Sequence, residues 1–255
     1  PYTAFWIHDR DGEFLSWSQA RASGLAAAVR HLAVTAAKEE GLPEEWIKRF
    51  VAGHVERGDN NRLSYLALPT TGYRLRHCDT STVPDGEIRR VMIAEPWGGT
   101  GLNARWLRER LADKEIVSER GDFAGRLVPI PLGDSDIFDG ILGLYMRPSR
   151  CWATVTPIVL PGEDQNLRGK RLDLVRRCFA HAGLPYPVEF RLLGGPTWRG
   201  SLAGKYVVPP YLKGFPLVHL RVEFNQPVAG PIALGSGRHC GLGVLAGCDV
   251  PLEVG

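Results

Sequence analysis

The chain has 255 residues, of which 44% are hydrophobic and 23% charged, and its 31 basic against 28 acidic side chains give a formal net charge of +3. This composition is close to the globular average and excludes collagen-like, coiled-coil and disordered chains, while the length suits one large domain or two smaller ones. No apolar run approaches the roughly 18 to 20 residues that a membrane-spanning helix requires, so no membrane partner is predicted.

The first half of the chain predicts alternating strands and helices. A strand over 2–8 is followed by a helix over 18–40, because apolar residues recur there at helical spacing and Gly41-Leu42-Pro43 ends the pattern. The remaining predicted elements of this half are strands over 63–68, 88–94 and 126–130 and a helix over 102–111.

The second half repeats this order. A strand over 153–160 precedes a helix over 166–182, which ends at Gly183-Leu184-Pro185 in the same way as the first helix. Further strands are predicted over 188–193, 217–224 and 242–246. The repeated order predicts an α+β fold of two tandem ferredoxin-like (RRM-like) units with antiparallel sheets backed by helices, divided into residues 1–150 and 151–255.

Charge is distributed unevenly between these halves. Residues 1–150 carry 20 basic and 21 acidic side chains, whereas residues 151–255 carry 11 and 7. A positive field of this kind attracts polyanions. Although a charge run on a helix is usually a solvated face, the imbalance favours a nucleic-acid surface on the helix over 166–182, with the candidate contacts Arg168, Lys170, Arg171, Arg176 and Arg177.

A Gly- and Pro-rich insertion over 194–214 mixes basic and aromatic side chains. Such a mixture suits a surface that stacks bases and neutralises phosphates, although a long surface loop can carry the same residues merely for solubility. Tyr206 is a possible hydrogen-bond donor to phosphate. The candidate RNA contacts here are Arg199, Lys205 and Lys213.

The cysteine pattern and the N-terminus bear on compartment and completeness. Five cysteines without CxxC spacing predict neither a disulfide framework nor a metal site, which favours a reducing cytoplasm and a protein without a cofactor. The first residues, Pro1-Tyr2-Thr3-Ala4, have no initiator methionine and no signal-peptide pattern, and therefore predict a fragment or processed chain.

A glycine-rich stretch over 229–243 is the sharpest local signal. It lacks the GxGxxG spacing of a dinucleotide fingerprint and the Gly-Lys-Ser/Thr of a phosphate loop, so both nucleotide motifs are excluded. The glycines allow the backbone to approach either a ligand or a neighbouring helix, and Arg238 and His239 lie at the tip of the stretch. A hairpin that serves only packing is the alternative.

This stretch, which includes Arg238-His239-Cys240-Gly241-Leu242-Gly243, resembles the C-terminal end of CRISPR repeat-RNA endoribonucleases of the RAMP superfamily, as do residues 155–161 and 220–224. The likeness is strongest to the processing half of the type I-U (I-G) fusion protein. Gly53-His54 and the strand after it resemble the Gly-His element of that family. In two respects the chain departs from the family: residues 61–65 lack a second histidine, and there is no room for the additional domain of the fusion proteins.

The resemblance implies a metal-independent endoribonuclease that processes pre-crRNA, in which the 2′-hydroxyl attacks the phosphate to give a 2′,3′-cyclic phosphate and a 5′-hydroxyl. His54 is the first candidate for proton transfer and His239 the second, while Tyr65 is a candidate hydrogen-bond donor to the phosphate. The implied partners are a CRISPR repeat RNA hairpin and other subunits of a type I effector complex. The candidate RNA contacts in the glycine-rich stretch are Gly235, Gly237, Arg238 and Gly241.

Two other functions are consistent with the same residues. A non-catalytic crRNA-binding subunit of an effector complex would carry the same basic surface. A small-molecule enzyme could instead use the glycine-rich stretch, and it would bind a nucleotide with little salt dependence, whereas RNA binding weakens steeply with salt.

Overall fold

The computed structural model describes residues 1–55, 59–72, 84–118, 120–131, 139–162 and 168–248, with the side chains of Arg168 and Gly169 outside that description. It contains two antiparallel sheets, each backed by a helix, which confirms the predicted α+β fold. Among the described helices, none combines the length and apolar character that a bilayer crossing requires.

The first sheet has the ferredoxin-like strand order with one added edge strand. Its order is β2-β3-β1-β5-β4, so that β1 and β3 lie at the centre and β4, which was not predicted, extends the edge beside β5. The elements of this unit are β1 (Tyr2–His8), α1 (Ala22–Glu39), α2 (Glu44–Trp46), β2 (Ser64–Pro69), β3 (Ile88–Ala94), α3 (Leu102–Leu111), β4 (Glu115–Val117) and β5 (Phe123–Pro129).

The second sheet keeps the same strand order but lacks one helix. Strand β8 pairs with β9, β9 with β6, β6 with β11 and β11 with β10, while the glycine-rich stretch occupies the chain position of the second ferredoxin helix. Its elements are β6 (Ser149–Thr154), β7 (Ile158–Val159), α5 (Arg168–Ala182), β8 (Glu189–Leu193), β9 (Leu217–Val228), β10 (Ile232–Ala233) and β11 (Val244–Gly247), and α4 (Gly140–Met146) lies in the connection before β6.

The single strand predicted over 153–160 is wrong in one respect. The structure divides this segment into β6 and β7, which pair with different parts of β9. A bend at 155–156 and Pro157 separate them, since proline has no N–H to donate to a ladder.

Each helix backs its sheet through one apolar face. On α1, Leu25, Val29 and Ala33 are fully buried against the first sheet, and on α5, Val175 and Phe179 are fully buried against the second. The helical spacing of these residues is what makes both helices amphipathic, and burial of each large side chain stabilises the fold by roughly 1.5 to 3 kcal/mol.

The connection between the sheets is fixed by a buried ion pair. Asp139 caps α4 by accepting from the backbone N–H groups of Ile141 and Leu142, each at 3.0 Å. Its other oxygen accepts from Arg90 Nε at 2.5 Å and from Trp6 Nε1 at 2.6 Å. Because α4 also packs on β11, this carboxylate ties the first sheet to the second.

Candidate functional site

A polar cavity of about 290 Å³ lies where the two units meet. Its walls come from α1, the loop before β2, the start of β2, the insertion over 194–214 and the glycine-rich stretch. The lining residues are Arg30, Ala52, Gly53, His54, Arg62, Leu63, Tyr65, Tyr211, Ser236, His239 and Cys240. The three predicted catalytic residues therefore come together, although His54 and His239 are 185 residues apart in sequence.

His54 is the exposed histidine of the cavity. It follows Gly53, whose φ of +77° suits glycine, and its own N–H donates to the Lys48 carbonyl at 2.9 Å. Arg62 Nη1 donates to the Gly53 carbonyl at 2.8 Å. The Gly-His turn is thus held from both sides while the imidazole stays accessible.

His239 is largely enclosed. Its Nδ1 lies 2.7 Å from Ser64 Oγ, and its Nε2 is buried without a hydrogen-bond partner among the described residues. Burial, together with the positive charges of Arg62 and Arg238, lowers the pKa of this imidazole from 6.5 to about 2. His239 is therefore neutral at physiological pH.

The cavity is positively charged. Arg30 and Arg62 both line it, and no acidic side chain is found among its lining residues in the described part of the chain. Burial lowers the pKa of Arg62, and its Nε has no hydrogen-bond partner among the described residues. Guanidinium groups placed in this way attract an anion with planar, directed N–H donors, as a phosphate contact requires.

The two tyrosines proposed as phosphate donors are occupied elsewhere. Tyr65 is 1% exposed and its hydroxyl donates to the Val51 carbonyl at 2.9 Å. Tyr206 is also buried and donates to the Val155 carbonyl at 3.1 Å. Burial raises the pKa of both phenols. This geometry corrects the expected phosphate contact, because neither hydroxyl is free to reach a substrate in the cavity.

The glycines of the glycine-rich stretch approach the protein's own backbone. A Cβ at Gly241, where φ is +82°, would lie 2.7 Å from the Ala22 carbonyl oxygen of α1. A Cβ at Gly235 would overlap the Val159 carbonyl, and one at Gly237 would lie 2.8 Å from Leu242 Cβ. The sequence left open whether these glycines approach a ligand or a neighbouring helix. At Gly241 the structure shows close approach to a helix, α1.

Arg238 connects this stretch to the rest of the site. Its guanidinium donates to the Gly235 carbonyl at 3.0 Å and to Asn60 Oδ1. Asn60 Nδ2 in turn donates to the His181 carbonyl at the end of α5, at 2.7 Å. One asparagine therefore links the basic helix, the loop before β2 and the residue next to His239.

The basic residues predicted on α5 lie on its outer side to different degrees. Lys170, Arg176 and Arg177 are exposed and Arg171 is half-buried, while the side chain of Arg168 lies outside the described residues. Arg176 is already engaged, since it donates to Asp173 at 2.9 Å and to the Tyr186 hydroxyl at 2.8 Å.

The insertion is anchored between the two units. Its backbone bonds to α1 and to the turn before it, because Ser23 Oγ donates to the Val207 carbonyl at 2.7 Å and Gln19 Oε1 accepts from Ser201 N at 2.7 Å. Its predicted RNA contacts, Arg199, Lys205 and Lys213, are all exposed.

Several polar residues of the site were not predicted in a site role, among them Arg30, Arg62, Ser64 and Ser236. A signal for one of them was present, because side chains alternate along a strand and Ser64 must face away from Tyr65. The two arginines carried no comparable signal in the sequence, since α1 and the loop before β2 show no local basic motif.

Two other features bear on the choice of site. A larger cavity of about 450 Å³ is lined mainly by the apolar side chains of Leu42, Trp46, Leu102 and Trp106, and the one carboxylate among its described lining residues, Glu40, is paired with Arg110. Among the residues that the structure describes, no cluster of three or more His, Cys, Asp or Glu side chains could hold a metal ion.

Comparison with known protein families assigns most of the chain to a family. Residues 7–247 match the model of the CRISPR-associated protein, GSU0054 family. Among solved structures, a Cas6 product complex has 14% identity and a TM-score of 0.42, over 96% of this chain and 98% of the other. A protein described as the product of a Cas6-related gene from Pyrococcus furiosus has 12% identity and a TM-score of 0.40, over 96% of each chain.

These structural scores are too low to carry an argument, so the fold assignment rests on the strand order. A comparison with curated protein sequences finds no match.

Proposed function

Because the chain belongs to the GSU0054 family of CRISPR-associated proteins, we propose that it is an endoribonuclease that processes CRISPR repeat RNA at the cavity between its two units. The observation that carries this proposal is the cavity itself, which combines an exposed histidine, a neutral buried histidine and two arginines. These are the groups that cleavage by an RNA 2′-hydroxyl requires.

The reaction supplies its own nucleophile. The 2′-oxygen forms a bond to phosphorus as its proton leaves, the bond from phosphorus to the 5′-oxygen breaks, and that oxygen gains a proton. The products are a 2′,3′-cyclic phosphate and a 5′-hydroxyl. The protein must hold the phosphate in line, move the two protons and stabilise the additional negative charge.

Each of these tasks has a candidate residue. Arg62 and Arg30 hold the phosphate and offset the developing charge. His54 carries one proton transfer because its imidazole is exposed to the cavity. Nε2 of His239 serves the other, because burial, together with the charges of Arg62 and Arg238, keeps this ring neutral, and the nitrogen has no hydrogen-bond partner among the described residues.

RNA outside the cavity would be held by the second unit. The exposed residues Lys170 and Arg177 on α5 and Lys205 and Lys213 on the insertion provide positive charge outside the cavity lining. We assign residues 1–150 to the unit that carries His54 and residues 151–255 to the unit that carries this basic surface. The repeat hairpin, and the other subunits of a type I effector complex, are its proposed partners.

The direct test is incubation of the purified chain with an end-labelled repeat hairpin in EDTA, followed by analysis of the product ends. We expect cleavage at one position with a 2′,3′-cyclic phosphate and a 5′-hydroxyl. A requirement for metal, or a 3′-hydroxyl product, contradicts the proposed chemistry.

The variant His54→Ala tests the residue assignment. Loss of a positioned proton-transfer group typically slows a reaction by about 10²- to 10⁴-fold, and we expect single-turnover cleavage to fall by that amount while the Kd for the hairpin changes less than about twofold. His31, exposed on α1 outside the cavity lining, provides the control His31→Ala, which should cleave at the wild-type rate. Wild-type cleavage by His54→Ala would remove His54 from the mechanism.

A second function, crRNA binding without cleavage, has one observation in its favour. Of the three candidate catalytic side chains, Tyr65 is bonded within the core and His239 is neutral and enclosed, so His54 alone is exposed. A protein that binds the hairpin tightly and leaves it intact in both EDTA and Mg²⁺ would support this function.

A further inference from the structure

The mouth of the cavity carries an aromatic ring to which the proposed cleavage chemistry gives no role. Tyr211 lines the cavity, yet 64% of it is exposed. Most exposed tyrosines lie on open surfaces, but this one stands beside the two arginines proposed to hold the phosphate.

The position of Tyr211 is fixed from three directions. It lies in a 3-10 turn over Pro210–Leu212 that begins after Pro209, so two adjacent residues have restricted φ. The next side chain, Leu212, is 4% exposed in the core of the first unit. The Tyr211 hydroxyl interacts with the thiol of Cys240, which itself donates to the Gly237 carbonyl at 3.2 Å.

A largely exposed ring on a restrained backbone is suited to stack a planar group. A tyrosine loses little conformational freedom on binding when its position is already fixed. Nucleobases stack on such rings irrespective of their identity because each base has a π-face.

From this arrangement we infer that Tyr211 forms a nucleobase subsite, in which the base of a nucleotide next to the phosphate held by Arg30 and Arg62 stacks on the exposed face of the phenol ring. The inference rests on the proposed function, since it takes the phosphate to be that of RNA. Tyr211 is then a binding and positioning residue, which places the nucleotide relative to His54 and His239.

Tyr211→Leu and Tyr211→Phe separate stacking from the hydroxyl. Stacking on an aromatic side chain is worth about 1 to 3 kcal/mol per base, and we expect Tyr211→Leu to raise the Kd for the repeat hairpin about tenfold. Tyr211→Phe should stay within about threefold of wild type, because it keeps the ring. Trp97→Leu, which removes an exposed ring outside the cavity lining, is the matched control and should not change the Kd.

A panel of hairpins with one abasic nucleotide each identifies the stacked base. In the wild type, removal of the base at one position should lower the affinity about tenfold. The same removal should not lower the affinity of Tyr211→Leu, because this variant has no ring on which the base could stack. The same position should lie beside the cleavage site.

The possible results separate this inference from the proposed function. If the wild type binds the hairpin and Tyr211→Leu binds it equally well, or if the variant and abasic losses simply add at every position, the subsite is refuted while the endoribonuclease proposal stands. An equal loss in Tyr211→Phe would assign the effect to the hydroxyl and also refute stacking. A wild type that binds no repeat hairpin refutes both proposals.

Discussion

Two of the contacts that join the units have opposite character. One is ionic: Asp139 is buried between Arg90 and Trp6 of the first sheet and caps α4, which packs on the second. The other is a close approach of backbones, in which the glycine-rich stretch lies against α1 at Gly241.

This contrast separates stability from function. The ionic joint contributes no residue to the cavity lining, whereas the glycine-rich joint contributes Ser236, His239 and Cys240. Damage at the first joint should therefore appear mainly in unfolding, and damage at the second mainly in RNA binding and cleavage.

The largest effect is expected at the ionic joint. The variant Asp139→Ala removes the carboxylate partner of Arg90, which is 2% exposed, and it also removes the N-terminal cap of α4. Removing one partner of a buried ion pair costs about 3 to 5 kcal/mol, and we expect the free energy of unfolding in urea to fall by that amount.

An exposed aspartate provides the control for this measurement. Asp173 pairs with Arg176 on the surface of α5, and exposed pairs contribute about 0 to 1 kcal/mol, so Asp173→Ala should unfold almost as the wild type does. A fall of less than about 1 kcal/mol in Asp139→Ala would mean that water reaches Arg90 and that the joint is not dry.

At the glycine-rich joint, Gly241→Ala should cost about 2 to 3 kcal/mol. The substitution forces alanine into a left-handed conformation, worth roughly 1 to 2 kcal/mol, and also brings its Cβ against the Ala22 carbonyl. We expect cleavage and RNA affinity to fall even under conditions in which the variant is fully folded, because the displaced stretch carries His239.

Gly183→Ala isolates the conformational part of this cost. Gly183 follows α5 with φ of +67°, but a Cβ there meets nothing within 4 Å. The variant should lose only the left-handed penalty and cleave RNA normally when folded. Equal losses in both variants would show that the approach to α1 is not tight.

Local pattern was enough to predict most elements of the first unit. The strand predicted over 88–94 and the helix predicted over 102–111 coincide with β3 and α3, because the spacing of apolar residues within each segment indicates its secondary structure. Helix α4 was missed, since Gly140 and Gly143 disfavour a helix and its cap depends on a charge pair that joins distant segments.

The candidate site was predictable only in part. Motif resemblance pointed to His54 and His239, but it also pointed to Tyr65, which the pleat of β2 turns into the core. The neighbouring Ser64 faces His239 instead. Arg30 and Arg62 could not be assigned, because their proximity arises from tertiary packing and not from spacing along the chain.

The smallest predicted effect is a pH dependence that belongs to the glycine-rich joint alone. Burial and the charges of Arg62 and Arg238 hold the pKa of His239 near 2, whereas in the unfolded chain an imidazole titrates near 6.5. Between these two values the unfolded state binds a proton that the folded state does not, so the free energy of unfolding decreases as the pH falls below 6.5.

For His239→Gln, this contribution disappears. The decrease in unfolding free energy between pH 7.5 and pH 5.5 should then be smaller than in the wild type by about 1 kcal/mol, measured by urea unfolding at both pH values. His219, which is buried and also has a lowered pKa, is present in both proteins and cancels in the comparison. Identical decreases in the two proteins would mean that His239 takes up its proton in the folded state as readily as in the unfolded chain. The imidazole would then be cationic beside Arg62 and Arg238, and the enclosed site described for His239 would be wrong.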